Sequence, residues 1–276
     1  MPRGMKAELR GISADMAEIV GAHLMMAGQL IDEDPELAYR HAEAARRRAG
    51  RLPITREASA ETAYAAGKFE EALTQYRALR RMTGSPDVIP VMVDCLRALG
   101  KYREALTLVD EGNHQITDPA MRVELVIVTA GLRVDMGERD EGMRLLRREV
   151  ERPSGPQPRL AKARLLYAFA DLLATAGDVQ NAYRGFAQAA SLDPDQTTAA
   201  LDRLDEMDGL VLEVDETEFA DEDDEDEDGD GEEDSEAEDD DEVEAGDGAE
   251  IEDELEAEAE SASGPLIDLI EEDDVA

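Results

Sequence analysis

The chain has 276 residues and a formal net charge of −41, and of its 69 Asp and Glu, 39 fall in residues 205–276, which hold no Lys or Arg. Residues 1–204 keep 30 acids against 28 bases, enough chain for the core of one domain, whereas the acidic stretch repels itself and has too few apolar residues to offset ordering entropy. That charge argues against direct DNA or RNA binding through the tail, no run approaches the roughly 18 apolar residues of a membrane span, no apolar signal segment follows Arg3, Lys6 and Arg10, and a lone Cys95 fits a reducing, cytoplasmic setting.

In chain order, residues 1–15 read as a lead-in and Met16–Leu30 as a first helix. The body is helical throughout, because Ala, Leu, Arg, Glu and Met dominate and most prolines fall between periodic segments. Self-similar stretches then recur. The weakest is Asp34-Pro35-Glu36-Leu37-Ala38, with Ala42 and Ala45. Ala66-Gly67-Lys68-Phe69-Glu70-Glu71-Ala72-Leu73 follows, with Tyr76 and Leu79. Leu99-Gly100-Lys101-Tyr102-Arg103-Glu104-Ala105-Leu106 comes next, with Val109. A weaker copy is Met136-Gly137-Glu138-Arg139-Asp140-Glu141-Gly142-Met143, with Leu146. The last is Ala176-Gly177-Asp178-Val179-Gln180-Asn181-Ala182-Tyr183, with Phe186, Ala189 and then Leu192-Asp193-Pro194.

The aligned small residues Ala38, Ala72, Ala105, Gly142 and Ala182 are 34, 33, 37 and 40 positions apart, the period of a two-helix unit. Gly67, Gly100, Gly137 and Gly177 are expected to end first helices in a left-handed cap. In three of those four, the aromatic or apolar residue two positions on (Phe69, Tyr102, Val179) should cover the turn. Tyr76, Val109, Leu146 and Phe186 should fill the gap to the next unit, and Pro194 should close the last second helix. Longer joints at Asp118-Pro119 and residues 152–158 read as bends or hinges. Leu201, Leu204 and Met207 predict a capping helix over Ala199–Met207.

These residues resemble the tetratricopeptide repeat. The resemblance implies an all-α, right-handed solenoid of helical hairpins with a concave groove, five repeats and a capping helix in residues 16–208. Residues 209–276 are then a disordered acidic tail. The Arg-rich, Lys-poor body with its Asp/Glu tail is similar to a group of actinobacterial repeat proteins.

No catalytic constellation is visible, so no enzyme activity, cofactor or metal is expected. His23, His41 and His114 read as scattered packing or surface residues, and Cys95 as a buried small hydrophobe. Asp224, Asp226, Asp228 and Gly229 imitate a calcium loop, but the closing position is Ser235. The shifted frame (Asp226, Asp228, Asp230, Gly231) closes on Ala237.

In repeats of this type the first helices line the groove. The stripe would include His23, Glu57, Glu61, Tyr64, Asp94, Arg97, Arg164, Tyr167 and Asp171, with Tyr64 and Tyr167 either anchoring a partner or packing between repeats. The groove that grips chaperone carboxylates needs paired Lys and Asn, and Lys162 stands alone. Arg46, Arg47, Arg48, Arg80, Arg81, Arg147 and Arg148 cluster at the ends of second helices. They either complement the helix dipoles or form a basic edge. In the tail, Leu266, Ile267, Leu269 and Ile270 follow Pro265 and suit a short docking motif within 264–270. The expected function is a non-enzymatic scaffold that docks a partner segment in the groove while the tail tunes electrostatics. The alternative is a chaperone-like holder or nucleic-acid mimic, in which the tail captures basic proteins.

Overall fold

Twelve helices and no strand account for the secondary structure of the described residues, 1–152 and 158–209, in the computed structural model. A short α1 (Arg3–Glu8) precedes five hairpins: α2 (Ala14–Leu30) with α3 (Pro35–Ala49), α4 (Pro53–Ala65) with α5 (Phe69–Thr83), α6 (Ile89–Ala98) with α7 (Tyr102–Gln115), α8 (Pro119–Asp135) with α9 (Arg139–Val150), and α10 (Arg159–Thr175) with α11 (Val179–Leu192). A closing α12 (Ala200–Asp208) packs on α11. The tail expected over 209–276, its motif at 264–270 and the acidic calcium-loop imitation lie outside the described residues except for Gly209, and so does most of the joint at 152–158.

Local chemistry sets these boundaries. Four hairpin turns close alike, with Gly67, Gly100, Gly137 and Gly177 at φ of +71°, +68°, +82° and +83°. In each, the N–H of the next residue bonds a carbonyl five positions back: Lys68 to Ala63, Lys101 to Leu96, Glu138 to Arg133 and Asp178 to Leu173, at 2.8–2.9 Å. A Cβ at the left-handed position would be strained, which is why glycine marks every one of these turns. The first hairpin turns differently. There the Asp34 carboxylate accepts the Leu37 N–H at 2.9 Å, and Pro35 opens α3. Asp118 caps α8 through the Met121 N–H at 2.9 Å, so Asp118-Pro119 is a capped helix start three residues after α7.

The small residues at the repeat period are all buried, four of them at 0% exposure. Gly142 shows why: a Cβ there would stand 2.9 Å from the Ala130 carbonyl oxygen of the partner helix. Tyr76, Val109, Leu146 and Phe186 are buried between units as expected. Val179 departs from expectation. It belongs to the last hairpin, has no sixth beside it, and is 60% exposed, whereas Phe69 and Tyr102 pack against the central core. The cap also shifts by one residue. Ala200, Leu204 and Met207 face inward at helical spacing, and Leu201 is left outside. At the other end, Leu9 from the lead-in is buried with Val20 and Leu24. Among the described residues the apolar clusters run from Met5 to Met207, so residues 1–209 bury a core of their own.

Candidate functional site

Helices α6, α8 and α10 carry one side of the solenoid, and with residues 197–199 they enclose an open groove of about 560 Å³. Asp94, Arg97, Arg164, Tyr167 and Asp171, five of the nine residues expected from sequence, line it together. Its floor is apolar, with Ile127, Val128, Ala168 and Leu172. Asp193 holds the far wall: its buried carboxylate accepts the N–H groups of Thr197 at 3.0 Å and Thr198 at 2.5 Å, and the Thr198 hydroxyl at 2.7 Å. The Thr198 N–H leads the bonds that keep this carboxyl below the usual range.

The charged residues of the groove are tied together across hairpins. The Tyr64 hydroxyl of α4 donates to Asp94 of α6 at 2.5 Å, and Arg97 Nε donates to the other Asp94 oxygen at 2.8 Å. Arg97 Nη1 then reaches Asp135 of α8 at 3.0 Å. Arg164 of α10 donates back to Glu124 of α8 at 2.9 Å, and Arg203 of α12 reaches Asp171 of α10 at 3.4 Å. The Arg203 guanidinium also lies 5.4 Å from the centre of the Phe186 ring. The result is a ladder of polar rungs along the first helices, ending on the capping helix. Glu124, Asp135 and Arg203 were not among the residues singled out from sequence. Their signal was present, since Arg97 and Asp135, and Glu124 and Arg164, are opposite charges one repeat length apart.

The two tyrosines differ. Tyr64 is half-buried, edge-on to Phe69 with ring centres 5.7 Å apart, and bonded to Asp94, so it packs between repeats. Burial first, then Asp94, raises its phenol well above the ordinary value. Tyr167 sets its ring edge-on to Phe186 at 5.4 Å and lines the groove, and its hydroxyl makes no hydrogen bond among the described residues. Glu57 and Glu61 are exposed on α4, and desolvation followed by neighbouring carboxylates (Glu8 and Glu57 respectively) raises both pKa values.

The histidines are not scattered, as the sequence suggested. His23 and His41 lie on the two helices of the first hairpin with Nδ1 atoms 3.0 Å apart. Their separation of 18 positions lets antiparallel helices bring them face to face. Burial, then Arg48 and His41, lowers the His23 pKa. His114 stays apart, with Nδ1 2.7 Å from the Asp110 carbonyl. Cys95 is fully buried and its thiol is pushed up to about 12, chiefly by desolvation, which leaves it unreactive. Among the described residues, no cluster of three or more His, Cys, Asp or Glu is placed to hold a metal, and no helix is long and apolar enough to cross a membrane.

The arginines at the ends of second helices split into two groups. Arg46 makes a bidentate pair with Glu43 at 2.6 and 2.7 Å, Arg48 donates to the Ala44 carbonyl at 3.0 Å, and Arg80 pairs with Glu111 at 2.6 Å. Arg47, Arg81, Arg147 and Arg148 make no hydrogen bond or ion pair among the described residues.

No family model matches the chain, and no curated protein matches it significantly. Solved structures do match. The chain is similar to the crystal structure of TTC0263, a thermophilic TPR protein in Thermus thermophilus, with 18% identity, a TM-score of 0.54, and coverage of 68% of this chain and 98% of that one. It also matches the MamA RS-1 ArsTM double mutant at 13% identity and a TM-score of 0.43, over 66% of this chain and 99% of that one. Five glycine- or aspartate-turned hairpins, a buried small residue in each second helix, and the likeness to the Thermus protein together identify the fold as that of the tetratricopeptide repeat.

Proposed function

We propose that the chain is a non-enzymatic scaffold that docks a segment of a partner protein in the groove of α6, α8 and α10. The observation that carries this reading is the groove itself. An apolar floor is bordered by charges that already have partners within the protein, and Tyr167 is the one lining tyrosine with a hydroxyl left for a ligand. A partner therefore gains burial against the floor and the aromatic ring without having to neutralise an isolated buried charge. The lone, buried Cys95 suits a reducing, cytoplasmic setting, where the acidic stretch would bias which partners approach.

A second reading has its own observation: 39 acids without one base in residues 205–276 suit capture of basic proteins by charge alone. Affinity capture separates the two. The full chain, a chain ending at Asp208 and an Ala168→Arg variant that fills the groove serve as baits, each washed at low salt and at about 0.5 M, where the Debye length is only about 4 Å. Groove docking predicts a partner that survives truncation and high salt but is lost with Ala168→Arg. Partners that leave with residues 209–276, or with salt, favour the polyanion.

A further inference from the structure

Arg122 of α8 and Arg148 of α9, neither of which makes a hydrogen bond or ion pair among the described residues, line one recess of about 620 Å³, bounded by the end of α7, the start of α8 and the end of α9. Arg152 lines it as well, and the single carboxylate among its described lining residues, Glu149, is paired with Arg152 at 3.3 Å. Half-buried Val126 lies on its floor, above Ile116 and Leu125 of the protein core. Among the described residues the recess thus carries a net positive rim over a small aliphatic patch.

The ordinary use of such arginines is to complement a helix C-terminus or a neighbouring acid. Arg48 and Arg80 do this, through the Ala44 carbonyl and Glu111. Among the described residues Arg148 does neither, although it lies in the last turn of α9. A single-stranded nucleic acid would call for aromatic faces on which bases stack, and no aromatic side chain of the described residues lines the recess. A small inorganic anion would gain nothing from Val126. What fits both halves is a peptide that presents carboxylates to the guanidiniums and aliphatic carbon to the floor.

We propose that this recess is a second docking site, distinct from the groove, for a segment of a partner protein with acidic residues next to aliphatic anchors. The proposal stands independently of the groove reading. A synthetic peptide with the sequence of residues 264–276 has the required chemistry, with Leu266, Ile267, Leu269 and Ile270 followed by Glu271, Glu272, Asp273 and Asp274, and serves as the probe. Residues 1–209, which bury their own core, are the receptor, and fluorescence anisotropy of the labelled peptide is the readout.

The expected result is saturable binding that weakens at least about tenfold in the Arg122→Gln/Arg148→Gln double variant, because two charge-assisted contacts are lost. Both side chains are exposed, so an unchanged melting curve certifies the variant's fold. A peptide with its four aliphatic residues replaced by serine, at the same charge, should bind about tenfold more weakly. The Ala168→Arg groove variant should bind the probe like the unaltered protein. Absence of saturable binding overturns the proposal, as does equal binding by the double variant or by the serine peptide. Tighter binding of an oligouridylate than of the peptide assigns the recess to nucleic acid and overturns it too.

Discussion

The groove and the recess at α7–α9 are both lined with arginine, yet the arginines are in opposite states. Arg97 and Arg164 in the groove, and Arg203 of the cap beside it, each reach a carboxylate on a first helix. At the recess, Arg122 and Arg148 have none among the described residues. A cation satisfied by the next hairpin holds the solenoid's geometry, and a partner gains little by touching it. A cation left open in a recess holds nothing and is available. Composition alone treats these residues as equivalent; only their partners separate architecture from interface.

That contrast can be broken or sharpened by substitution. The largest expected effect is structural and lies at the groove: Phe186→Ala removes a fully buried ring that supports Tyr167, Arg203 and the capping helix, and should cost about 3–5 kcal/mol in urea unfolding. Gly142→Ala places a Cβ 2.9 Å from the Ala130 carbonyl between α8 and α9, which form one wall of the recess, and should cost about 1–3 kcal/mol. Arg97→Ala leaves Asp94 and Asp135 without their shared cation and should cost about 1–2 kcal/mol, whereas Arg148→Ala should stay within about 0.5 kcal/mol. Equal losses at Arg97 and Arg148 would erase the distinction drawn between the two regions.

The smallest effect is a pH dependence in the first hairpin. The His23 pKa is lowered in the folded state from an ordinary value of 6.5, so its contribution is fully present above about pH 6.5 and is lost as the pH falls towards the folded value. Protonating His23 fixes its Nδ1 as a donor and adds a cation beside Arg48, at 3.0 Å from the His41 ring nitrogen. The melting temperature should fall more steeply between pH 7.5 and 5.5 in the unaltered protein than in His41→Gln. Parallel slopes would show that the pair carries no linkage.

The hairpins were legible in the sequence because their turns have a chemistry of their own. A left-handed position needs glycine, a tight helix crossing needs a small residue, and both recur at the repeat period. The inner stripe was legible in part, since five of its expected residues converge on one groove. The rest depended on which neighbour a side chain meets. Periodicity cannot tell that Arg80 finds Glu111 while Arg148 finds nothing among the described residues, because both end a second helix in the same way. Nor does spacing along the chain show that His23 faces His41, since the contact arises only when the chain reverses at Asp34. α1 was missed for a simpler reason: it has six residues and no side-chain cap, and its place is set by the burial of Leu9 just after it.

The polar ladder also implies that stiffness is graded along the solenoid. Its rung between α4 and α6 is a half-buried phenol–carboxylate bond of 2.5 Å, and the one between α10 and α12 is a solvent-facing ion pair of 3.4 Å. Salt screens the exposed rung first and the sheltered one least. Rising ionic strength should therefore loosen the molecule from α12 inward, so that the groove yields at one end while α4 and α6 keep their spacing. In mechanical terms the inner face is a spring clamped at one end, and its free end is the wall that a docked segment would press against.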